Sequence, residues 1–176
     1  MQNKKGLVLV YTGNGKGKTT ASLGLALRAV GHGEKVYIIQ FMKGNEKYGE
    51  VQAVRRYLPN VELVQKGLDA FIKKGQPSLQ DIKMAEEGLS LAKKVISSGK
   101  YDLVILDELN VAVDYGLLTE EDILDAIALK PGYTTLVLTG RYASEKILEK
   151  ADMISEVREI KHHYARGIPA QQGIEY

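Results

Sequence analysis

The octet Thr12-Gly13-Asn14-Gly15-Lys16-Gly17-Lys18-Thr19 constrains this chain more than any other feature. It follows a short apolar run, Leu7 to Tyr11, and precedes a segment that reads as helix from Lys18 to Val30. Strand, glycine-rich turn and helix in that order make an anion cradle. Glycines accept positive φ at little cost, so successive amide N–H groups curl toward one point. The helix start adds unpaired N–H groups and the positive end of its dipole. The pattern G-x-x-x-x-G-K-[ST] is met at Gly17, Lys18 and Thr19, with Thr12 standing where the first glycine is usual. The expected ligand is the triphosphate of ATP, held by Thr12 through Thr19 and by Thr20. Lys18 pairs with phosphate oxygens, through charge-assisted bonds of about 1.5–3 kcal/mol each. The Thr19 hydroxyl is placed to ligate Mg²⁺ or Mn²⁺.

The remaining elements follow from periodicity and breakers. Short apolar runs at Val36–Gln40, Val61–Gln65, Leu103–Leu106, Thr134–Thr139 and Ile154–Ile160 read as strands. Between them, helices are expected at Gly49–Leu58, Ser78–Ser98, Thr119–Ala128 and Ser144–Lys150, with Ser78/Asp81 and Thr119/Asp122 as capping boxes. The apolar residues of the first helix run nearly all round, which predicts deep burial. Residues 66–77 show no period, as functional loops of that length often do not, and the tail from Lys161 reads as irregular. Strands alternating with helices predict an α/β fold: a mostly parallel open sheet with helices on both faces, in a single nucleotide-binding domain spanning residues 1–176, with the RecA-like arrangement of P-loop proteins.

Asp107 ends a wholly apolar strand, the position of a Walker B acid that holds the metal; Glu108 follows it. The competing reading is a carboxylate pair that caps the next turn. Walker motifs alone leave the reaction open among kinases, hydrolases and switches.

The 176 residues suffice for a core without disulfide or structural metal. There is no cysteine, which removes thiolate chemistry and fits a reducing compartment. With net charge +2 and a pI near 8.6, the chain lacks the basic excess of a duplex binder, and no nucleic-acid partner is expected. The first apolar run is too short for a signal segment or a membrane span, so a cytoplasmic protein without membrane contact is expected.

Beyond the loop, the chain resembles the P-loop family of ATP:corrinoid adenosyltransferases. The resemblance is carried by Tyr11 to Ala21, Arg28-Ala-Val-Gly-His-Gly33, Gln40-Phe-Met-Lys-Gly44, Val104-Ile-Leu-Asp-Glu-Leu109, Thr139-Gly-Arg141 and the closing Gln172-Gly-Ile-Glu-Tyr176. Thr12 in place of glycine is that family's own form of the loop. The resemblance implies transfer of the 5′-deoxyadenosyl group of ATP to Co(I) of a corrinoid, with release of tripolyphosphate, for adenosylcobalamin synthesis or salvage. It implies ATP held in reverse, with the γ-phosphate where other P-loop proteins hold α. It also implies a homodimer and an electron donor such as a reduced flavoprotein.

By the same carry-over, Asn14, Arg28, Gln40 and Arg141 are expected at the nucleotide, Lys18 and Glu108 as the catalytic groups, and Thr19, Asp107 and Glu108 at the metal. Arg28 also suits a helix C-terminus, Phe41 fits core as well as site, and His162 and His163 read as surface residues. Two departures stand out. Few residues precede the first strand, so closure over the site is expected to be weaker, or to come from a partner subunit or the C-terminal tail. The family's Gly-Phe-Thr-Trp loop is replaced by Gly67-Leu68-Asp69-Ala70-Phe71, and the chain has no Trp, leaving Leu68 and Phe71 as the corrinoid-facing candidates. The alternatives are a RecA-like ATPase or small-molecule kinase, which needs only the Walker pair, and a carrier that binds corrinoid and nucleotide without turnover.

Overall fold

Six apolar runs pair into one sheet: β1 (Val8–Thr12), β2 (Val36–Phe41), β3 (Val61–Lys66), β4 (Leu103–Asp107), β5 (Thr135–Thr139) and β6 (Met153–Glu156). The computed structural model describes residues 5–70 and 72–176. The strand order is β3-β2-β4-β5-β1-β6, and every pairing is parallel. The expected α/β class holds, with a sheet wholly rather than mostly parallel.

Side chains alternate between two cores, as the strand period of two requires. On one face Leu9, Val36, Ile38, Leu103, Ile105 and Val137 meet α1 (Lys18–Gly31) and α2 (Gly49–Tyr57). On the other, Tyr37, Ile39, Phe41, Val104, Leu106 and Leu138 meet α3 (Leu79–Ser97), α4 (Leu109–Asp114), α5 (Glu120–Ala128) and α6 (Glu145–Glu149). Phe41 is fully buried in this second core, which decides its role as packing. Both expected capping boxes form: Ser78 accepts from the Asp81 amide and Thr119 from the Asp122 amide, each reciprocated by the aspartate.

Three expectations are corrected. Helix α1 buries only Lys18, Ser22, Ala26 and Ala29, and Leu27 is 59% exposed; one stripe meets the sheet and nothing among the described residues covers the other. Strand β6 ends at Glu156 rather than Ile160, because its partner β1 stops at Thr12 and turns away at Gly13 (φ 96°), with Val157 next in line. The Val157 N–H donates to Thr12 O (2.8 Å) and its carbonyl accepts from Gly15 N (2.8 Å). Helix α4 occupies residues that showed no helical signature. The tail carries one 3-10 turn, His163–Arg166.

Two backbone approaches position the site. Gly13, at φ 96°, lies so close to Val157 that a Cβ would meet its carbonyl oxygen at 2.5 Å. At the ends of β2 and β3, Gly44 and Gly67 pack backbone to backbone. A Cβ on Gly67 would overlap main-chain atoms of Met42 and Lys43, so both glycines are needed to hold the chain that carries Lys43.

Candidate active site

In an open parallel sheet, ligands bind beyond the carboxyl ends of the strands. Here those ends deliver the loop after β1, Lys43 after β2, Asp107 at the end of β4 and Thr139 at the end of β5. They surround a cleft of roughly 670 Å³ lined by residues 15–20, Lys43, Glu108 and Arg141, among others.

The phosphate loop has the expected build. Gly17 caps α1 at φ 122° with no side-chain cap, and no acidic residue sits in the first turn, so the helix N–H groups are available to an anion. Lys18 is 7% exposed and its Nζ donates to Gly15 O at 2.7 Å. Burial lowers its pKa, partly offset by Glu108 and Asp107, with Arg141 adding to the lowering. One loop amide is spent elsewhere: Gly15 N points at Val157, away from the cleft. Thr12 Oγ1 accepts from Ala143 N at 3.4 Å, and Arg141 Nη2 donates to Asn14 O at 3.1 Å, which ties the loop to the turn after β5.

Asp107 is completely buried and accepts four side-chain hydrogen bonds. Thr19 Oγ1 (2.8 Å) and Thr139 Oγ1 (2.7 Å) donate to Oδ1; Lys43 Nζ (2.8 Å) and Gln40 Nε2 (3.1 Å) donate to Oδ2. A buried carboxylate requires such pairing. The hydroxyl of Thr19 and the carboxylates of Asp107 and Glu108 are hard oxygen donors of the kind Mg²⁺ and Mn²⁺ prefer, so the residues fit such an ion.

Glu108 adopts a left-handed conformation, φ 61°, and its N–H donates to Thr139 Oγ1 at 3.0 Å. That turn sends the chain from β4 straight into α4 and leaves the Glu108 side chain on the cleft. Burial first, and then Asp107, push its pKa up; Lys43, Lys18 and Arg141 oppose this without cancelling it. The fold therefore holds the Glu108 proton more tightly than the unfolded chain does. The stability tied to this group is present below the ordinary value of 4.5 and lost as pH rises through the higher folded value. Glu108→Gln cannot ionise and escapes that loss. Its melting temperature at pH 7 should exceed the native one, on the order of 2–4 °C per kcal/mol recovered, and the gap should close by about pH 4. A thermal melt series across pH checks this; an equal gap at both ends contradicts it.

Not every expected residue reaches the cleft. Arg28 is exposed in the last turn of α1, ten residues beyond Lys18; at 1.5 Å per residue that is about 15 Å along the axis, and it is absent from the lining. Gln40 is fully buried below the cleft. It donates to Asp107 and to Glu50 Oε1 (3.2 Å) and accepts from Gln65 (3.0 Å), so it holds the acid instead of meeting the nucleotide. Leu68 is half-buried beside Gly44 and outside the cleft lining. Phe71 lies outside the described residues.

Other residues arrive unannounced. Lys43 sits inside a quoted motif but nothing in its spacing marks it as a partner of Asp107. His162, read as a surface residue, lines the cleft; its ring stacks on His163 at 4.6 Å, and His163 Nε2 is 3.6 Å from Glu175. The tail, one of the alternatives for closure, reaches the cleft: Gly173 to Tyr176 line it, Lys16 Nζ donates to Ile174 O, and Glu175 lies 3.7 Å from Lys16. Tyr115, Tyr142 and Tyr176 add aromatic rings to the same wall.

Comparison with known proteins agrees with this geometry. A family model described as ATP:corrinoid adenosyltransferase BtuR/CobO/CobP matches residues 4–176. The chain is 39% identical to a corrinoid adenosyltransferase of Escherichia coli K12 over 175 residues, covering 99% of this chain and 88% of the relative. It is 37% identical to the corrinoid adenosyltransferase CobA of Salmonella typhimurium LT2, with 99% and 88% covered. Against the corrinoid adenosyltransferase of Pseudomonas aeruginosa PAO1 the identity is 37%, with 99% and 86% covered.

Proposed function

We propose, for a chain that belongs to the ATP:corrinoid adenosyltransferase family, the following division of labour among its residues. The protein transfers the 5′-deoxyadenosyl group of ATP to the Co(I) centre of a corrinoid, in service of adenosylcobalamin synthesis. The cobalt electron pair attacks C5′ and forms the cobalt–carbon bond. The bond between C5′ and the bridging oxygen breaks, and its electrons leave on tripolyphosphate. No proton moves at the carbon, so no general base is needed. The protein has two tasks: to hold C5′ in line between nucleophile and departing oxygen, and to stabilise the charge that grows on the leaving group.

The observation that carries this reading is the meeting, in one cleft, of the uncapped start of α1 and Lys18 with the oxygen donors Thr19 and Glu108, above the buried Asp107 that Thr19 bonds. The loop amides, Lys18 and Arg141 bind the triphosphate. Thr19 and Asp107, with Glu108 beside them, would hold Mg²⁺ or Mn²⁺, which would supply further positive charge to the leaving triphosphate. Gly13 and Gly15 let the loop lie against the backbone of Val157 and Arg158. The tyrosines on the cleft wall offer apolar faces to flat ligands, in a chain that has no Trp. The tail from Gly173 to Tyr176 shields the phosphates from water. Among the described residues no helix is long and apolar enough to cross a membrane; we assign the protein to the cytoplasm, as a homodimer supplied with electrons by a reduced flavoprotein.

Anaerobic incubation with MgATP and chemically reduced corrinoid, followed by phosphorus NMR and the visible spectrum, tests the reading. Tripolyphosphate should appear in step with the alkyl–cobalt spectrum. ADP and orthophosphate without cobalt alkylation would instead identify a RecA-like ATPase or kinase, and binding without turnover a carrier.

A further inference from the structure

The Lys43 side chain is only 18% exposed, and its ammonium lies 2.8 Å from Asp107 Oδ2 and 3.3 Å from Thr19 Oγ1, while Thr19 Oγ1 lies 2.8 Å from Asp107 Oδ1. The lysine and the two oxygen donors form a closed triangle. Lys43 also lines the cleft beside Lys18 and Glu108, so the same ammonium faces the place where phosphates bind. Its backbone is fixed: Met42 before it is in the left-handed region at φ 57°, and the Gly44 and Gly67 backbones lock the turn after it. Any motion of Lys43 is therefore confined to its flexible four-carbon stem.

A divalent ion ligated by Thr19 and Asp107 would sit within a few ångströms of this ammonium, and the two positive charges repel strongly at such range in a buried place. Both also compete for the same lone pairs. A triphosphate in the cleft changes the balance, because its oxygens offer the ammonium a charge-assisted partner at least as good as Asp107. We propose that Lys43 is a movable phosphate-binding cation that keeps the Thr19–Asp107 pair closed until the triphosphate arrives, and so makes divalent-metal binding conditional on nucleotide. The proposal rests on the reading of Thr19 and Asp107 as metal ligands. It assigns Lys43 a place at the leaving group beside Lys18, and it explains why Asp107 carries two donors on each oxygen: the metal replaces one set, and Gln40 and Thr139 keep the carboxylate in position.

The test is Mn²⁺ binding to the protein, read from the loss of the free-ion electron paramagnetic resonance signal beyond that of a protein-free control holding the same ATP, with and without ATP, together with ATP affinity in chelator. Wild-type protein should bind Mn²⁺ at least tenfold more tightly with ATP than without. Lys43→Gln should gain at least tenfold in Mn²⁺ affinity without nucleotide and lose at least tenfold in metal-free ATP affinity, so that the coupling between the two ligands shrinks in both directions. Lys43→Met, also neutral, gives the same readout if the Gln variant does not fold, and Lys43→Arg should keep the nucleotide-free site closed. The proposal is overturned if neutral variants match wild type within twofold in both affinities. Thr19→Ala separates the two layers. If it leaves ATP-dependent Mn²⁺ binding intact, the ligand reading itself is wrong. If it abolishes that binding while Lys43→Gln behaves as wild type, the ligands stand and the role of Lys43 falls.

Discussion

Lys18→Ala is expected to lose at least about a hundredfold in the rate of cobalt alkylation, the scale on which removal of one preorganised group at a developing charge is felt. Lys18 is the buried ammonium of the loop, 7% exposed, with its Nζ held 2.7 Å from Gly15 O. That bond fixes the ammonium at the loop to which the proposed function gives the phosphates, where charge would accumulate as the triphosphate leaves. The fold should tolerate its loss. Burial depresses the lysine's pKa, which means that the folded state holds this proton less firmly than the unfolded chain, and that keeping the group charged at neutral pH costs stability. Alanine removes that cost along with one hydrogen bond. The melting temperature should therefore stay within about 3 °C of wild type, a span of about 1 kcal/mol for a chain of this size. The measurement pairs a thermal melt with initial rates of alkyl–cobalt formation under anaerobic conditions. A folded Lys18→Ala with near-normal rates would contradict the role given to the loop.

The parts of the fold that were legible are those written in consecutive residues. Strands buried on both faces are unbroken apolar runs, and β2, β4 and β5 could hardly read otherwise. The capping boxes at Ser78 and Thr119 are four-residue devices and form as read. Helix α4 failed to show because it is six residues long, has no polar cap and begins from Glu108 in a left-handed conformation, which no propensity favours. Strand β6 was read too long because Val157 and Arg158 continue an alternating pattern. What ends the strand is the end of its partner: β1 stops at Thr12 and turns away at Gly13, so β1 offers no further ladder past Val157. The exposure of Leu27 was hidden for a related reason: apolar residues all round a helix say that it can be covered, and they do not say by what.

The site divides in the same way. Thr12 to Thr19 is a local motif, and its conformation follows from its own glycines. Asp107 was legible as the acid at the end of an apolar strand. Its partners were not, because they come from two other strand ends and from α1, and only the order β3-β2-β4-β5-β1-β6 brings them together. With β5 between the acid strand and the loop strand, Thr139 bonds Asp107 on one side while Gln40 and Lys43 reach it from β2 on the other. Family likeness pointed to Arg28 and Gln40 as nucleotide contacts. Helix rise takes the first out of the cleft and burial takes the second beneath it. The tail was visible only as a motif at the chain's end, and its contact with Lys16 depends on the path of the chain after β6.

Asp107→Asn should be the most damaging conservative change in the molecule, for stability and activity at once. The carboxylate is 0% exposed and serves two hydroxyls on Oδ1 and two nitrogen donors on Oδ2. An asparagine can meet this geometry in one orientation only. Its amide nitrogen must face Thr19 and Thr139, whose hydroxyls can turn to accept, and its oxygen must face Gln40 and Lys43, which cannot. The hydrogen-bond count can therefore nearly survive, but the charge cannot. Lys43, whose pKa burial would lower and Asp107 raises above the ordinary lysine range, loses its nearest counterion. Breaking a buried ion pair on one side costs about 3–5 kcal/mol, which for this length is a fall of roughly 6–20 °C in melting temperature. Alkylation should drop at least about a hundredfold with the loss of a metal ligand. The cause is separable by a double change. Asp107→Asn combined with Lys43→Gln removes both charges and leaves amides that can pair, so it should recover most of the lost melting temperature while activity stays low. If the double variant is no more stable than Asp107→Asn alone, the ion pair is not what the buried carboxylate contributes. If activity returns with stability, Asp107 is not a metal ligand.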